Sequence, residues 1–163
     1  MARKKSAGLL LCTVTGIRLG SGDFGISPGE GEVCLTLRAE YETELKALEE
    51  GILTFAEELC ETAGIRMEHS LHDCFPETRN HEASLAKIIR AAQDLQIPVI
   101  QMEKLWRASE DFGWYLKECP GAIIYIGNGE RYPALHTEEF DFNDNILETG
   151  VDLFAGLVRN YGR

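Results

Sequence analysis

The first forty residues hold two strand-like stretches of apolar positions, and then the period changes. Residues 8–17 form an apolar run that Thr13 and Thr15 continue, the composition of a strand. Residues 32–40 alternate, with Val33, Leu35 and Leu37 on one face and Thr36 and Arg38 on the other. Between them Gly20, Gly22, Gly25, Gly29 and Gly31 surround Pro28, so the pattern predicts an antiparallel pair with a long connection. Leu45, Leu48, Ile52, Phe55 and Leu59 then recur at steps of three and four, which predicts a helix over 41–63 closed by Gly64. Residues 65–74 return to strand character. The resulting β-β-α-β order implies an antiparallel sheet covered by one helix.

Pro76 punctuates the chain, and Asn80 is placed to cap a helix over 81–95 striped by Leu85, Ile88, Ile89, Ala92 and Leu95. Pro98 to Met102 reads as a short strand. Ser109 is expected to cap a further helix whose first turn holds Glu110 and Asp111, a placement the helix dipole favours. Ala122-Ile123-Ile124-Tyr125-Ile126 is a continuous apolar run, expected as a strand buried on both faces. Asn143 or Asp141 caps the last helix, striped by Ile146, Leu147, Val151, Phe154, Leu157 and Val158. The second half therefore runs α-β-α-β-α, the rhythm of a layered α/β domain. Two pieces are expected, residues 1–75 and 76–163, giving a mixed α+β and α/β chain.

Charge narrows the partners. The chain carries a net charge of -11 over 163 residues, which argues against nucleic acid because little could neutralise a run of phosphates. Residues 40–61 alone hold eight Glu and one Lys, a solvated helix face. The start, with Arg3, Lys4 and Lys5 before Ala7 to Val14, superficially resembles a signal peptide, but the run is short and reads as a strand. No apolar run reaches the ~18 residues of a membrane helix. Five Cys at an odd count, without a Cys-x-x-Cys pair, suggest a reducing cytoplasm rather than a disulfide framework.

Chemistry-bearing residues are few. His136 lies in a charged loop, where neutral imidazole is a plausible metal ligand and Glu138, Glu139 or Asp141 could orient its second nitrogen. The bland alternative is a surface histidine. Ser109, Glu110 and Asp111 read either as an ordinary helix start or as a helix end facing an anion such as a carboxylate. His69 and His72 point to opposite faces of a strand and lack ligand-pair spacing, so they argue against a metal there. Cys119 has no base partner in sequence. The Gly-rich loop lacks the Lys-Ser/Thr ending of a phosphate-binding loop.

Several motifs in order carry a resemblance. Phe24-Gly25-Ile26-Ser27-Pro28-Gly29-Glu30 leads into Leu35-Thr36-Leu37-Arg38. After it come Asn80 behind a Phe-Pro turn, Ser109-Glu110-Asp111-Phe112-Gly113, Pro120-Gly121-Ala122, Gly127-Asn128-Gly129 and Leu135-His136-Thr137-Glu138-Glu139-Phe140-Asp141-Phe142. Across residues 9–160 the chain resembles the C-terminal half of the metal-dependent amidohydrolases, the aminoacylase and carboxypeptidase-like metallopeptidases that cleave N-acyl amino acids. Hippurate, aminobenzoyl-glutamate and auxin-conjugate hydrolases are in this group.

That resemblance implies a partial lid and dimerisation domain followed by the C-terminal part of a layered catalytic domain. It implies a divalent metal site (zinc, with manganese or cobalt as alternatives), with His136 as one ligand and Ser109, Glu110, Asp111 and Asn80 on the substrate side. The family's other ligands and its general-base Glu lie in an N-terminal half with no counterpart here, so no catalytic residue is expected in this chain. Its expected partners are an N-acyl amino acid or similar amide, and a second copy or a separate N-terminal half. The alternatives are an inactive truncated homologue serving as a dimerisation or binding module, and an unrelated α+β protein.

Overall fold

A computed structural model describes residues 5–160, which divide into two compact units with the boundary between Glu77 and Thr78. In the first unit β1 (Leu10–Leu19) and β2 (Gly31–Ala39) pair antiparallel, from Leu10 opposite Ala39 to Leu19 opposite Gly31. A bulge between Val14 and Gly16 leaves Thr15 as the extra residue. Without it the even-numbered Leu10, Cys12 and Val14 would lie opposite in face to Ile17 and Leu19. The extra residue restores them to one face, shared with Val33, Leu35 and Leu37. That apolar face stays largely open at Val14, Ile17, Leu19 and Val33.

Helix α1 (Glu42–Ala63) follows as the periodicity predicts. Gly64 adopts φ 69°, and the N–H groups of Gly64 and Ile65 reach back to the carbonyls of Glu61 and Cys60 at 3.1 and 2.8 Å. This is a Schellman ending, and a glycine there avoids the penalty of a left-handed side chain. At the other end a carboxylate from downstream, Glu77, accepts from the Glu42 N–H at 3.1 Å, satisfying a helix-start donor and the positive dipole end. The stripe holds at Leu45, Leu48 and Ile52, but further along Ala56 and Cys60 are the partly covered positions while Phe55 and Leu59 are exposed.

In the second unit α2 (Glu82–Asp94), α3 (Phe112–Glu118) and α4 (Leu147–Asn160) follow, α4 preceded by a 3-10 turn at Asp144–Ile146. Ala91, Ala92 and Leu153 form the core between α2 and α4, with Ile88, Ile97, Ile124 and Leu157 packed around it. Gly156 lets the two helices approach: a Cβ there would lie 3.3 Å from Leu95 and 4.0 Å from Ala91. The last helix therefore buries Leu153 and Gly156 and exposes Leu147, Val151, Phe154 and Val158, most of the stripe expected to face the core. Asn143 does cap this end, its Oδ1 accepting from the Asn145 N–H at 3.2 Å.

Three expected strands are absent among the described residues, at 65–74, 98–102 and 122–126, and the sheet has two strands. Apolar composition can dispose a segment to extend, but a strand exists only when its N–H and C=O groups find a ladder partner. The 122–126 run is also half-covered rather than buried on both faces, with Tyr125 exposed. Among the described residues the fold is thus mixed α/β, with a small antiparallel sheet and four helices. No helix among the described residues is long and apolar enough to cross a membrane.

Candidate functional site

His136 rides on a loop whose ends are tied together. The Asn143 side-chain amide donates to the Asn128 carbonyl at 3.0 Å, closing the segment between them. Within it Tyr132 meets Phe140 edge-on, ring centroids 6.2 Å apart, so the loop carries its own small apolar contact. Partial desolvation and the nearby Asp141 and Asp144 carboxylates push the Tyr132 hydroxyl above its usual range. At the tip, the Ala134 carbonyl accepts from the Thr137 N–H at 3.3 Å and from the Thr137 hydroxyl at 2.8 Å. His136 is the third residue of this turn, at φ 68°. That conformation suits glycine or asparagine, and an imidazole held there costs about 1 kcal/mol. The side chain is exposed, as are Glu138 and Glu139, while Asp141 turns one oxygen onto the N–H of Phe142 at 2.8 Å.

Ser109, Glu110 and Asp111 lie before a helix rather than in its first turn. α3 starts at Phe112 with Asp111 at the capping position and no side-chain cap bond. The Asp111 carbonyl accepts from Trp114 N–H at 2.9 Å. The expected Ser109 cap is therefore corrected by two residues, to Asp111, and a seven-residue helix replaces the longer one that the capping pattern suggested. Ser109 and Asp111 are exposed and Glu110 is half-buried. Glu110 lies close enough to Tyr125 to help raise its hydroxyl pKa, second to the effect of burial. Tyr125 in turn leans on Trp106, ring centroids 5.2 Å apart. Sequence reasoning missed this Glu110–Tyr125–Trp106 group. The signal was present in Tyr125, the one residue of an apolar run that carries a polar tip.

Asn80 does not cap α2; His81 occupies that position, without a side-chain cap bond. Asn80 instead uses its amide as a surrogate strand, accepting from the Ile123 N–H and donating to the Ile123 carbonyl, both at 2.9 Å. His81 repeats the pattern one step along. Its backbone N–H donates to the Gly121 carbonyl at 3.0 Å, and its Nδ1 accepts from the Gly121 N–H at 3.1 Å. The same Nδ1 also lies 3.3 Å from the Gly121 carbonyl. Satisfying part-buried backbone groups was a stronger demand on Asn80 than capping an exposed helix end.

The donor set does not by itself fit a metal. Among the described residues no group of three or more His, Cys, Asp or Glu side chains could hold one, and a catalytic centre needs at least three protein ligands. The Glu110 group and the Asn80 clamp each have their own local partners, and His136 is exposed at the tip of its turn. His72 bonds Ser70 at 3.0 Å on an exposed segment, and the Cys119 thiol donates to the Tyr115 carbonyl at 3.5 Å. An open cleft of about 280 Å³ lies elsewhere, lined by Leu95, Ile97, Asn145, Glu148, Thr149 and Asp152, and none of the candidate residues reaches it.

Comparison with known proteins matches residues 3–160 to the profile of peptidase family M20/M25/M40. An uncharacterized hydrolase of Staphylococcus epidermidis is 26% identical over 140 residues, 82% of this chain and 36% of that protein. A p-aminobenzoyl-glutamate hydrolase homolog of Haemophilus influenzae is 26% identical over 140 residues, 82% of this chain and 33% of its own length. An N-acetyldiaminopimelate deacetylase of Enterococcus faecalis is 33% identical over a shorter stretch of 51 residues, 31% of this chain and 13% of that protein. The chain thus spans about a third of the length of the longer matches. No solved structure matches it.

Proposed function

The chain belongs to peptidase family M20/M25/M40, and from that premise we propose that it supplies the C-terminal portion of a metal-dependent amidohydrolase acting on N-acyl amino acids or similar amides. The observation that carries the reading is the family match across residues 3–160, which takes in every candidate residue from Asn80 to His136. The names of the relatives, a p-aminobenzoyl-glutamate hydrolase homolog and an N-acetyldiaminopimelate deacetylase, point to amide substrates whose amine half carries a carboxylate.

In this reading the first unit is part of a lid and dimerisation domain, and the second is the C-terminal part of a layered catalytic domain. His136 gives one ligand to a divalent metal, zinc or a close substitute. Its exposed ring sits on a loop fixed at both ends, so it can face a centre built largely by other residues. Ser109, Glu110, Asp111 and Asn80 line the substrate side, Asn80 being fixed by its two bonds to the Ile123 backbone. Because this chain's donors do not complete a metal centre, no catalytic step is assigned to it alone.

The test is metal content and hydrolysis of an N-acyl amino acid panel, for the chain alone and for its assembly with the rest of a family enzyme. The assembly is expected to hold metal and turn substrate over, and His136→Ala to lower both. Two tightly held metals with turnover in the isolated chain would sink the division of labour. Unchanged metal content in the His136→Ala assembly would sink the ligand assignment.

A further inference from the structure

Two exposed aromatic rings and a carboxylate meet on the side of the 122–126 run that faces away from the core. The run has no turn or bend, and Ile124 packs on the α2/α4 core, so the next side chain, Tyr125, points the other way. There it meets Trp106, with ring centroids 5.2 Å apart and planes tilted by 44°. The rings lean on each other without burying each other: the indole is 52% exposed and the phenol 50%. Glu110, half-buried and four residues on from Trp106, acts on Tyr125 through its charge.

Trp114 in the same unit shows what an exposed indole of this chain takes up. It is also 52% exposed, and the Lys117 ammonium lies over its ring, 4.8 Å from the centroid. Trp106 has a neutral phenol beside it instead, and the charge nearby is that of a carboxylate.

We propose that Trp106, Tyr125 and Glu110 form a recognition site for an organic ammonium ion supplied from outside the chain. Charge selects this occupant. A neutral aromatic ligand stacks on the rings but gains nothing from Glu110, and an anion is repelled both by Glu110 and by the net charge of -11. A cation gains from the ring faces and from the carboxylate together, and the field of an acidic chain raises its concentration at the surface. The inference goes beyond the hydrolase reading, since it needs neither metal nor turnover.

The experiment titrates the nitrogen-labelled chain with choline at constant ionic strength and follows the indole N–H resonances of its two tryptophans, assigned with Trp114→Phe. The Trp106 resonance is expected to shift saturably and that of Trp114, already carrying Lys117, to shift far less. Dimethylbutanol, the neutral carbon isostere of choline, should bind roughly tenfold more weakly. Glu110→Gln and Tyr125→Leu should each weaken choline binding by roughly threefold. If Tyr125→Leu unfolds the second unit, the comparison of choline with its isostere in the parent chain decides by itself. Equal affinity for the isostere reduces the ring pair to an apolar patch and overturns the proposal. So do tighter binding of neutral benzamide, unchanged affinity in Glu110→Gln, and equal shifts of the two equally exposed indoles. Absence of choline binding leaves the hydrolase reading standing, and absence of metal from the assembled enzyme leaves the cation site standing.

Discussion

The side-chain amide of Asn80 holds both backbone groups of Ile123, accepting from its N–H and donating to its carbonyl at 2.9 Å each. Both partners are partly buried, so removing the amide strands two backbone groups where water reaches them poorly. Asn80→Ala is expected to destabilise the second unit by about 2 kcal/mol. Asn80→Asp should cost nearly as much, because a carboxylate can replace the acceptor but not the donor. Urea denaturation checks both, and an alanine variant as stable as the parent would mean the clamp contributes nothing.

His136 holds a left-handed conformation at φ 68°. His136→Gly should therefore leave the melting temperature unchanged or raised, while a β-branched His136→Val lowers stability by about 1–2 kcal/mol. Loss of metal by the glycine variant in the assembled enzyme, with stability intact, would mark a residue kept for function against its local conformational preference. Thermal denaturation of the two variants side by side is the measurement. Equal melting temperatures would show that the turn does not hold the residue in place.

Two helices end in the same Schellman geometry with different residues in the left-handed position. α1 uses Gly64 at φ 69°, and α2 uses Gln96 at φ 59°, with Ile97 N–H bonding the Ala92 carbonyl at 2.8 Å. Gly64→Ala meets nothing within 4 Å, so its cost is purely conformational, about 1 kcal/mol. Gln96→Gly should stabilise by a similar or smaller amount, roughly 0.5–1 kcal/mol. Opposite signs in chemical denaturation are expected, and a shared sign would refute the backbone account.

Burial first, and the Glu110 carboxylate second, raise the Tyr125 hydroxyl above its ordinary value near 10. As pH climbs past that value, the unfolded chain sheds this proton while the folded chain keeps it, so stability contributed by neutral Tyr125 is lost with rising pH. Glu110→Gln should lower the titration midpoint of Tyr125 without returning it fully to the free value. Ultraviolet titration of tyrosinate, compared with a Tyr125→Phe variant to isolate the signal, reads this directly. An unmoved midpoint would place Glu110 away from the ring.

Local signals were legible wherever a single residue could enforce them. Gly64 ends α1 because only a residue at ease with positive φ closes that geometry, and Asn143 caps the 3-10 turn leading into α4 with its own side chain. The α1 period, the antiparallel pair and the mixed α/β class were likewise in the pattern. Asn80 and Ser109 misled for one reason. Both have the composition of a cap, yet the groups that claim or release them lie 43 residues away at Ile123 or one helix turn along at Phe112.

By itself, then, the sequence determined the helices, the hairpin and the family, since these follow from periodicity, turn chemistry and ordered motifs. Only the tertiary structure decided which apolar faces are covered. It buried Leu153 and Gly156 of α4 while leaving Val151, Phe154 and Val158 exposed. It brought Glu110 to Tyr125, and it left 122–126 extended but unpaired on one edge. Propensity can extend a backbone, but a strand is a relation between two segments, and among the described residues no second strand pairs with 122–126.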